Sequence, residues 1–243
     1  MIGGKKMTEP AKAVGVVLMA DDSAVEGTPE QLSAVEYRLP WVVQDPAFWP
    51  LPLHTVMAKD ADSEALLGHA TRGVDSVVDS AKSLDGKVQL IIGNCGFMWA
   101  AAKEISESVA TPTITSGLHL LNLALDMTSQ QVAVLTYDAN SLRPLLQDHE
   151  QFNRLSIVGF NDLPDWAAIE PADYMERGGW TIDGLRQQLV DRLEEAFASG
   201  GDLSSSRIIV LECTGLINFR TEIREVTGRP VLDIVSFAIS TIS

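Results

Sequence analysis

The sequence predicts an α/β protein with two pseudosymmetric lobes, each a mostly parallel sheet flanked by helices, and a candidate active site in the cleft between them. Two observations predict this fold. Apolar, strand-like runs alternate with helix-like stretches, which is typical of a parallel sheet covered by helices. One such unit also occurs twice. Each copy has a cysteine at the end of a buried strand and a proline 17 residues later, Cys95 with Pro112 and Cys213 with Pro230.

The first half of the chain has the pattern of one such lobe. Its predicted elements are a strand over 13–19, a helix over 63–84, a strand ending before Cys95, a helix over 97–109 and a short strand over 112–114. The segment 40–53 is rich in proline and tryptophan, which predicts a structured loop with short extended pieces. That loop either caps the core or forms a wall of the cleft.

The second half repeats the order of elements. Its predicted elements are a helix over 117–127, a strand over 131–136, a helix capped by Asp138 or Asn140, a strand over 156–160, a loop over 161–171, a helix over 182–199, a strand ending before Cys213, its helix and a final strand. We therefore expect residues 1–116 to form the first lobe, completed by about 229–243, and residues 117–228 to form the second.

Composition narrows the function classes. The 243 residues carry a formal net charge of −15, which argues against nucleic acid and anionic membrane as partners. No apolar stretch is long enough to span a bilayer, and the N-terminus lacks an apolar signal core. Two cysteines at equivalent positions of different lobes are expected to be reduced thiols, which suits the cytoplasm. The sequence leaves open whether the protein forms a homo-oligomer.

The chemistry-bearing residues follow the ends of the predicted strands. Cys95 and Cys213 lie in strand-to-helix turns, where a helix N-terminus lowers a thiol pKa and its amides hold an anion. We expect the two thiols to act as an acid/base pair on a carbon acid. The residues that would stabilise the developing negative charge are Asn94, Gly96, Thr136 and Thr214.

Other interpretations of these residues stay open at this point. Either cysteine alone is more simply a buried core residue, because cysteine is among the most buried residue types. Three roles are open for Glu212: a general acid, a group that orients the neighbouring Cys213, or a surface carboxylate that points away from the site. The four histidines show no metal-ligand spacing, and dinucleotide and P-loop motifs are absent. A Cys/His nucleophilic pair through His54 or His119 is not excluded.

The runs around both cysteines resemble the aspartate/glutamate racemase superfamily. The resemblance is carried by residues 93–98, 211–214 and 227–234, with weaker support from 45–52 and 132–139. It implies two α/β lobes, a catalytic cysteine in each lobe, a small carboxylate-bearing substrate and no cofactor or metal. It also implies that Cys95 and Cys213 exchange protons with the substrate, that Asn94, Thr136 and Thr214 contact its carboxylate, and that Tyr137 is a further candidate.

Within the superfamily, these residues look closest to the branch that contains the algal dimethylsulfoniopropionate lyases. Those lyases are similar in using a cysteine as base for a β-elimination that yields acrylate and dimethyl sulfide. Racemases of the glutamate type carry a histidine after the second Cys-Thr pair, where this chain has Gly215-Leu216. Three interpretations follow: a cofactor-independent racemase or epimerase, a carbon–sulfur lyase, and a non-catalytic protein that binds a small acid.

Overall fold

A computed structural model describes residues 12–20, 43–169 and 178–242. The first of its two parallel sheets has the strand order β2-β1-β3-β4. Its strands are β1 (Val14–Met19), β2 (Leu53–Ala58), β3 (Leu90–Gly93) and β4 (Thr113–Ile114). Its helices are α1 (Ser63–Leu67), α2 (Thr71–Leu84) and α3 (Ala102–Ser108), the last preceded by a 3₁₀ turn over Gly96–Ala101.

The second sheet repeats this topology with the strand order β6-β5-β7-β8. Its strands are β5 (Gln131–Leu135), β6 (Leu155–Val158), β7 (Ser206–Leu211) and β8 (Val231–Leu232). The helices of this half are α4 (Leu121–Met127), α5 (Ala139–Leu146), α6 (Pro164–Ala168), α7 (Ile182–Phe197), α8 (Arg220–Thr227) and α9 (Ile234–Ile242). The 3₁₀ turns Gly117–Leu120, Phe152–Arg154 and Thr214–Phe219 precede α4, β6 and α8.

The two halves correspond in register as well as in order. Val14 of β1 pairs with Leu90 of β3, and 118 positions later Val132 of β5 pairs with Ile208 of β7. Cys95 and Cys213 are separated by the same 118 positions. The predicted α/β fold with two similar lobes is therefore confirmed.

One hydrophobic cluster joins the lobes. It includes Val16 and Ile92 from the first sheet and Ala133 and Ile209 from the second. These four side chains are fully buried, and so is every residue of β1. Because apolar surface is removed from water across the junction, the lobes are held in one arrangement there.

The chain crosses between the sheets twice. After β4 of the first sheet, the turn Gly117–Leu120 and α4 contact β7 of the second sheet. After β8 of the second sheet, α9 contacts β3 of the first. The segment 229–243, which the sequence assigned to the first lobe, is thus divided, since β8 pairs with β7. The lobe limits at 116 and 228 stay predictions.

Four local predictions differ from the structure. The strand β2 was not predicted from the sequence. The helix α6 lies inside the predicted loop 161–171, with Pro164 in its first turn. The predicted helix 63–84 is divided into α1 and α2, because His69 adopts a left-handed φ of 49° after the α1 C-cap Gly68. The predicted final strand is only the two-residue β8, and α9 follows it.

The proline- and tryptophan-rich segment is described from residue 43 onward, and residues 40–42 lie outside the described residues. Pro46–Phe48 forms a single 3₁₀ turn capped by Asp45. Trp49 is buried in the shared cluster, and its indole N–H donates to the Val43 carbonyl at 2.7 Å. This part of the segment therefore covers the core.

Candidate active site

The Cys95 turn is fastened to the neighbouring strand β1. Asn94 donates its backbone N–H to Val17 O at 3.1 Å, and its side-chain Oδ1 accepts from Met19 N at 3.0 Å. Cys95 itself has extended backbone angles (φ −135°, ψ 136°) and directly precedes the 3₁₀ turn that leads into α3. The side chain of Asn94 therefore fixes this turn to the carboxyl end of β1.

The Cys213 turn is built in the same way in the other lobe. Glu212 donates its backbone N–H to Leu135 O of β5 at 2.9 Å. Cys213 is extended (φ −73°, ψ 123°) and precedes the 3₁₀ turn that leads into α8. With the offset of 118, Asn94 corresponds to Glu212 and Gly96 corresponds to Thr214.

The two turns touch each other on both sides of the cysteines. Thr214 donates its hydroxyl to the Asn94 carbonyl at 2.5 Å. Gly96 packs so closely on Glu212 that a Cβ at Gly96 would lie 2.0 Å from Glu212 Oε1. The residue before each cysteine thus meets the residue after the other, as expected for turns related by an approximate twofold axis. Both cysteines are partly exposed thiols.

Glu212 is enclosed at this contact. Its side chain is 2% exposed, Oε2 accepts from the Thr136 hydroxyl at 2.6 Å, and Oε1 has no hydrogen-bond partner among the described residues. Burial raises the pKa of the carboxyl to about 7, and the hydrogen bond from Thr136 opposes that rise. Near neutral pH this carboxyl therefore exists in both protonation states. The sequence left its placement open, and the structure buries it.

The other predicted contacts have hydroxyls that are already engaged. Thr136 is fully buried and donates its hydroxyl to Glu212, while Thr214 donates to Asn94. Tyr137 donates its hydroxyl to the Trp166 carbonyl at 2.8 Å. A hydroxyl has one proton to donate. Direct donation from these groups to a substrate carboxylate would therefore require one of these bonds to break, and such contacts stay predictions.

The segment after β4 also meets this junction, which the sequence did not predict. A Cβ at Gly117 would lie 2.0 Å from the Leu211 carbonyl, so only glycine fits there. Ser116 is buried, and its hydroxyl accepts from Leu118 N at 3.1 Å. The internal repeat was the available signal for this segment. The offset of 118 that relates Cys95 to Cys213 also relates Ser116 to Ile234 at the start of α9, so both copies of the unit continue into this segment.

The described residues contain neither a metal-binding cluster nor a membrane-spanning helix. Over residues 12–20, 43–169 and 178–242, no group of three or more His, Cys, Asp or Glu side chains is placed to hold a metal ion. None of the helices in these ranges has the length and apolar character needed to cross a membrane.

Curated proteins similar to this chain are algal lyases. The chain is 27% identical over 176 residues to dimethylsulfoniopropionate lyase 5 of Emiliania huxleyi (strain CCMP1516), covering 66% of this chain and 34% of that protein. It is 26% identical over 171 residues to lyase 3 of the same organism, covering 65% and 43%. The alignments thus span less than half the length of these relatives. No family model matches the chain.

Solved structures with the same architecture cover almost the whole chain. An allantoin racemase from Pseudomonas fluorescens aligns with a TM-score of 0.58 at 16% identity, over 95% of this chain and 88% of its own. An arylmalonate decarboxylase gives 0.54 at 15% identity, over 95% and 90%. A glutamate racemase from Francisella tularensis gives 0.52 at 16% identity, over 95% and 79%. The resemblance to the aspartate/glutamate racemase superfamily is confirmed at the level of the fold.

Proposed function

We propose that this protein is a cofactor-independent racemase or epimerase in which Cys95 and Cys213 transfer protons at the carbon next to a carboxylate of a small acid. The observation that carries the proposal is the double contact between the cysteine turns, Thr214 to Asn94 and Gly96 to Glu212. These contacts flank both thiols. They support a site in which one small substrate lies between two acid/base groups from opposite lobes.

The proposed reaction needs only the two thiols and the substrate. One cysteine, as thiolate, removes the α-proton, and the electron pair of the broken C–H bond is delocalised into the carboxylate. The other cysteine, as thiol, returns a proton to the opposite face, which inverts the carbon and leaves the second sulfur as thiolate. Both cysteines precede helical segments, whose first-turn amides are donors suited to an anionic substrate.

The remaining expectations about the site follow from this chemistry. The substrate is a small carboxylate-bearing acid, and neither nucleic acid nor a membrane surface is a partner. Two thiols that act as acid and base must stay reduced, so we propose the cytoplasm as the compartment. The net charge of −15 leaves the backbone amides, rather than a basic surface, as the means of holding the substrate anion.

A second candidate function is favoured by the curated relatives. These relatives are named dimethylsulfoniopropionate lyases, and the matched region covers 66% of this chain for the first of them. In a lyase, one thiolate would remove a proton next to the carboxylate, and the electron pair of the broken C–H bond would form the alkene as dimethyl sulfide leaves. That reaction needs one base, whereas racemisation needs two groups on opposite faces.

Proton exchange in deuterated water tests both functions at once. We expect a small carboxylic or amino acid from a broad panel, which includes dimethylsulfoniopropionate, to exchange its α-hydrogen when the protein is added. Exchange with inversion identifies the racemase, and formation of acrylate and dimethyl sulfide identifies the lyase. The measurement is proton nuclear magnetic resonance with chiral separation. Absence of exchange and of alkene across the panel, with a ligand that raises the melting temperature, would overturn both in favour of a binding protein.

A further inference from the structure

We propose that Glu212 is a positioning residue that controls the ionisation of the two cysteines: a neutral carboxyl permits a thiolate in the turns it touches, and a carboxylate suppresses it. The inference rests on the proposed function in assigning the thiols an acid/base role. It adds one carboxyl, in contact with both turns, whose protonation state determines whether a thiolate can form.

The position of Glu212 supports the proposal. It directly precedes Cys213 in the chain, and its carboxyl packs on Gly96, which directly follows Cys95. The space that a side chain at residue 96 would occupy is filled by Glu212 Oε1. The carboxyl therefore lies in the contact between the two turns, beside residues that are chain neighbours of each cysteine, and not on the outer face of either lobe.

The surroundings of Glu212 disfavour a charge there. Thr136 supplies the one hydrogen bond found for its carboxyl among the described residues, and Oε1 is buried without a partner. The rise of the carboxyl pKa to about 7 comes from burial, and no charged side chain contributes to it. A buried carboxyl with one donor and no cation favours the neutral form.

The titratable neighbours of Glu212 are few. From the turns that hold it, they are the thiols of Cys95 and Cys213, and from the end of β5 the neighbour is the neutral hydroxyl of Thr136. The turn Gly117–Leu120 brings His119, whose ring lies against Thr115 and Trp99 and whose pKa is lowered by burial, so it is neutral at pH 7. The neighbouring strand β8 is followed by Asp233, a buried carboxyl whose charge is matched by Arg220 at 2.9 Å. The thiolates are therefore the charges that the proposal assigns to the Glu212 carboxylate.

The two lobes carry different residues before their cysteines. Asn94 corresponds to Glu212 and is neutral, and its Oδ1 is engaged by Met19 N. One carboxyl is therefore shared by two thiols. A carboxylate and a thiolate in a water-poor contact repel each other, so their protons are released in coupled steps. Two unit charges within about 10 Å of each other shift each other's pKa by about one unit at the effective dielectric constant of proteins.

Alkylation of the thiols at different pH values tests the coupling without any substrate. The rate of iodoacetamide addition to Cys95 and to Cys213 is measured between pH 6 and 9 by peptide mass spectrometry. In Glu212→Gln, whose amide has the shape of a neutral carboxyl, we expect the thiol pKa to fall by about one unit relative to the protein with an ionised Glu212. Because half of the wild-type Glu212 is already neutral at pH 7, the expected gain in alkylation rate is about twofold at pH 7 and about fivefold at pH 8. A thiolate reacts and a thiol does not, so the rate reports ionisation.

A second variant changes the carboxyl without replacing it. Thr136→Val removes the donor that lowers the Glu212 pKa, so the carboxyl stays neutral to a higher pH. We expect a shift of the alkylation profile in the same direction as in Glu212→Gln, and smaller. Glu104→Gln, an exposed carboxyl on α3, is the matched control and should leave the profile unchanged.

Folding of the variants is followed by melting temperature from about pH 4.5 to pH 9, which covers the change in Glu212 protonation and the range of the alkylation measurement. The folded pKa of Glu212 is raised above the unfolded value, so the stability that it contributes is present at low pH and is lost as the pH rises to about 7. Relative to Glu212→Gln, the wild-type protein should therefore lose melting temperature as the pH rises from about 4.5 to about 7, and little beyond that. This measurement shows whether Glu212 is protonated in the folded protein below about pH 7.

The proposal is overturned if folded Glu212→Gln and folded Thr136→Val both keep the wild-type alkylation profile within twofold at both cysteines. If Glu212→Gln does not fold, an unchanged profile in Thr136→Val is sufficient to overturn it. This failure is distinguishable from failure of the proposed function. An unchanged profile together with substrate exchange removes the role of Glu212 alone, whereas a shifted profile without exchange by any substrate removes only the catalytic assignment.

Discussion

Replacing Cys95 with serine, and separately Cys213 with serine, is expected to lower racemisation by about two to four orders of magnitude, the usual contribution of a positioned general acid or base. A serine hydroxyl is a far weaker acid than a thiol, so it neither forms the required anion nor returns a proton at a comparable rate. The measurement is inversion of the substrate found by deuterium exchange, with folding checked by melting temperature.

The same two variants separate the candidate functions. In a two-base racemase, both variants lose racemisation, yet either variant can still exchange the α-hydrogen of one enantiomer or eliminate from it, because that half-reaction needs only one base. In a lyase, one cysteine matters far more than the other, and by the resemblance we expect it to be Cys213. Near-wild-type turnover in both variants would contradict a mechanism that uses either cysteine.

Gly96→Ala is expected to destabilise the fold by about 3 kcal/mol, at the upper end of the usual cost of overpacking. The added methyl group would lie 2.0 Å from Glu212 Oε1 and 2.5 Å from the Glu212 carbonyl oxygen. The carboxyl is held by Thr136 and the carbonyl belongs to the backbone, so neither can move aside cheaply. The free energy of unfolding is measured by denaturant titration.

A matched glycine shows whether the effect is specific to the contact between the turns. Gly68 ends α1, and a Cβ there meets only the Glu64 carbonyl at 3.1 Å. Gly68→Ala is expected to cost much less than Gly96→Ala and to leave α-hydrogen exchange unchanged. Equal losses of unfolding free energy in the two variants would show that the close approach of Gly96 to Glu212 contributes no more to stability than an ordinary helix end does.

The cysteine turns could be predicted because their signal is local. Each apolar strand ends at a cysteine, and the constant spacing to Pro112 and Pro230 relates the two copies. The parallel pairing within each sheet follows from the alternation of strands and helices, whereas the strand order is known only from the structure. The predicted features depend on residues that are close in sequence, which is why the sequence was sufficient for them.

The contacts inside the site could not be predicted in the same way. Thr136 is at the predicted end of its strand, but the direction of its hydroxyl toward Glu212 depends on how β5 and β7 pair. The approach of Gly96 to Glu212 joins residues from the two halves of the chain. A glycine after a cysteine does not indicate which distant side chain will fill the space beside it.

The C-terminal helix shows how a capping residue overrides the strand propensity of the run that follows it. The run 234–242 is apolar and rich in β-branched residues, which favours a strand. In the structure it is α9, since Asp233 at its start accepts from Ser236 N at 2.7 Å and from Ser236 Oγ at 2.7 Å. The ion pair from Arg220 to Asp233 at 2.9 Å further fixes this start.

The central claim is that Cys95 and Cys213 face one small-molecule site, and a short reagent with two thiol-reactive arms, such as dibromobimane, tests it most directly. Native protein treated with one equivalent should yield, after digestion, the Cys95 peptide linked to the Cys213 peptide, with the fluorescence that double addition produces. Unfolded protein at the same dilution should yield mostly single additions. Single addition at each cysteine in the native protein, without the linked peptide, would contradict the claim.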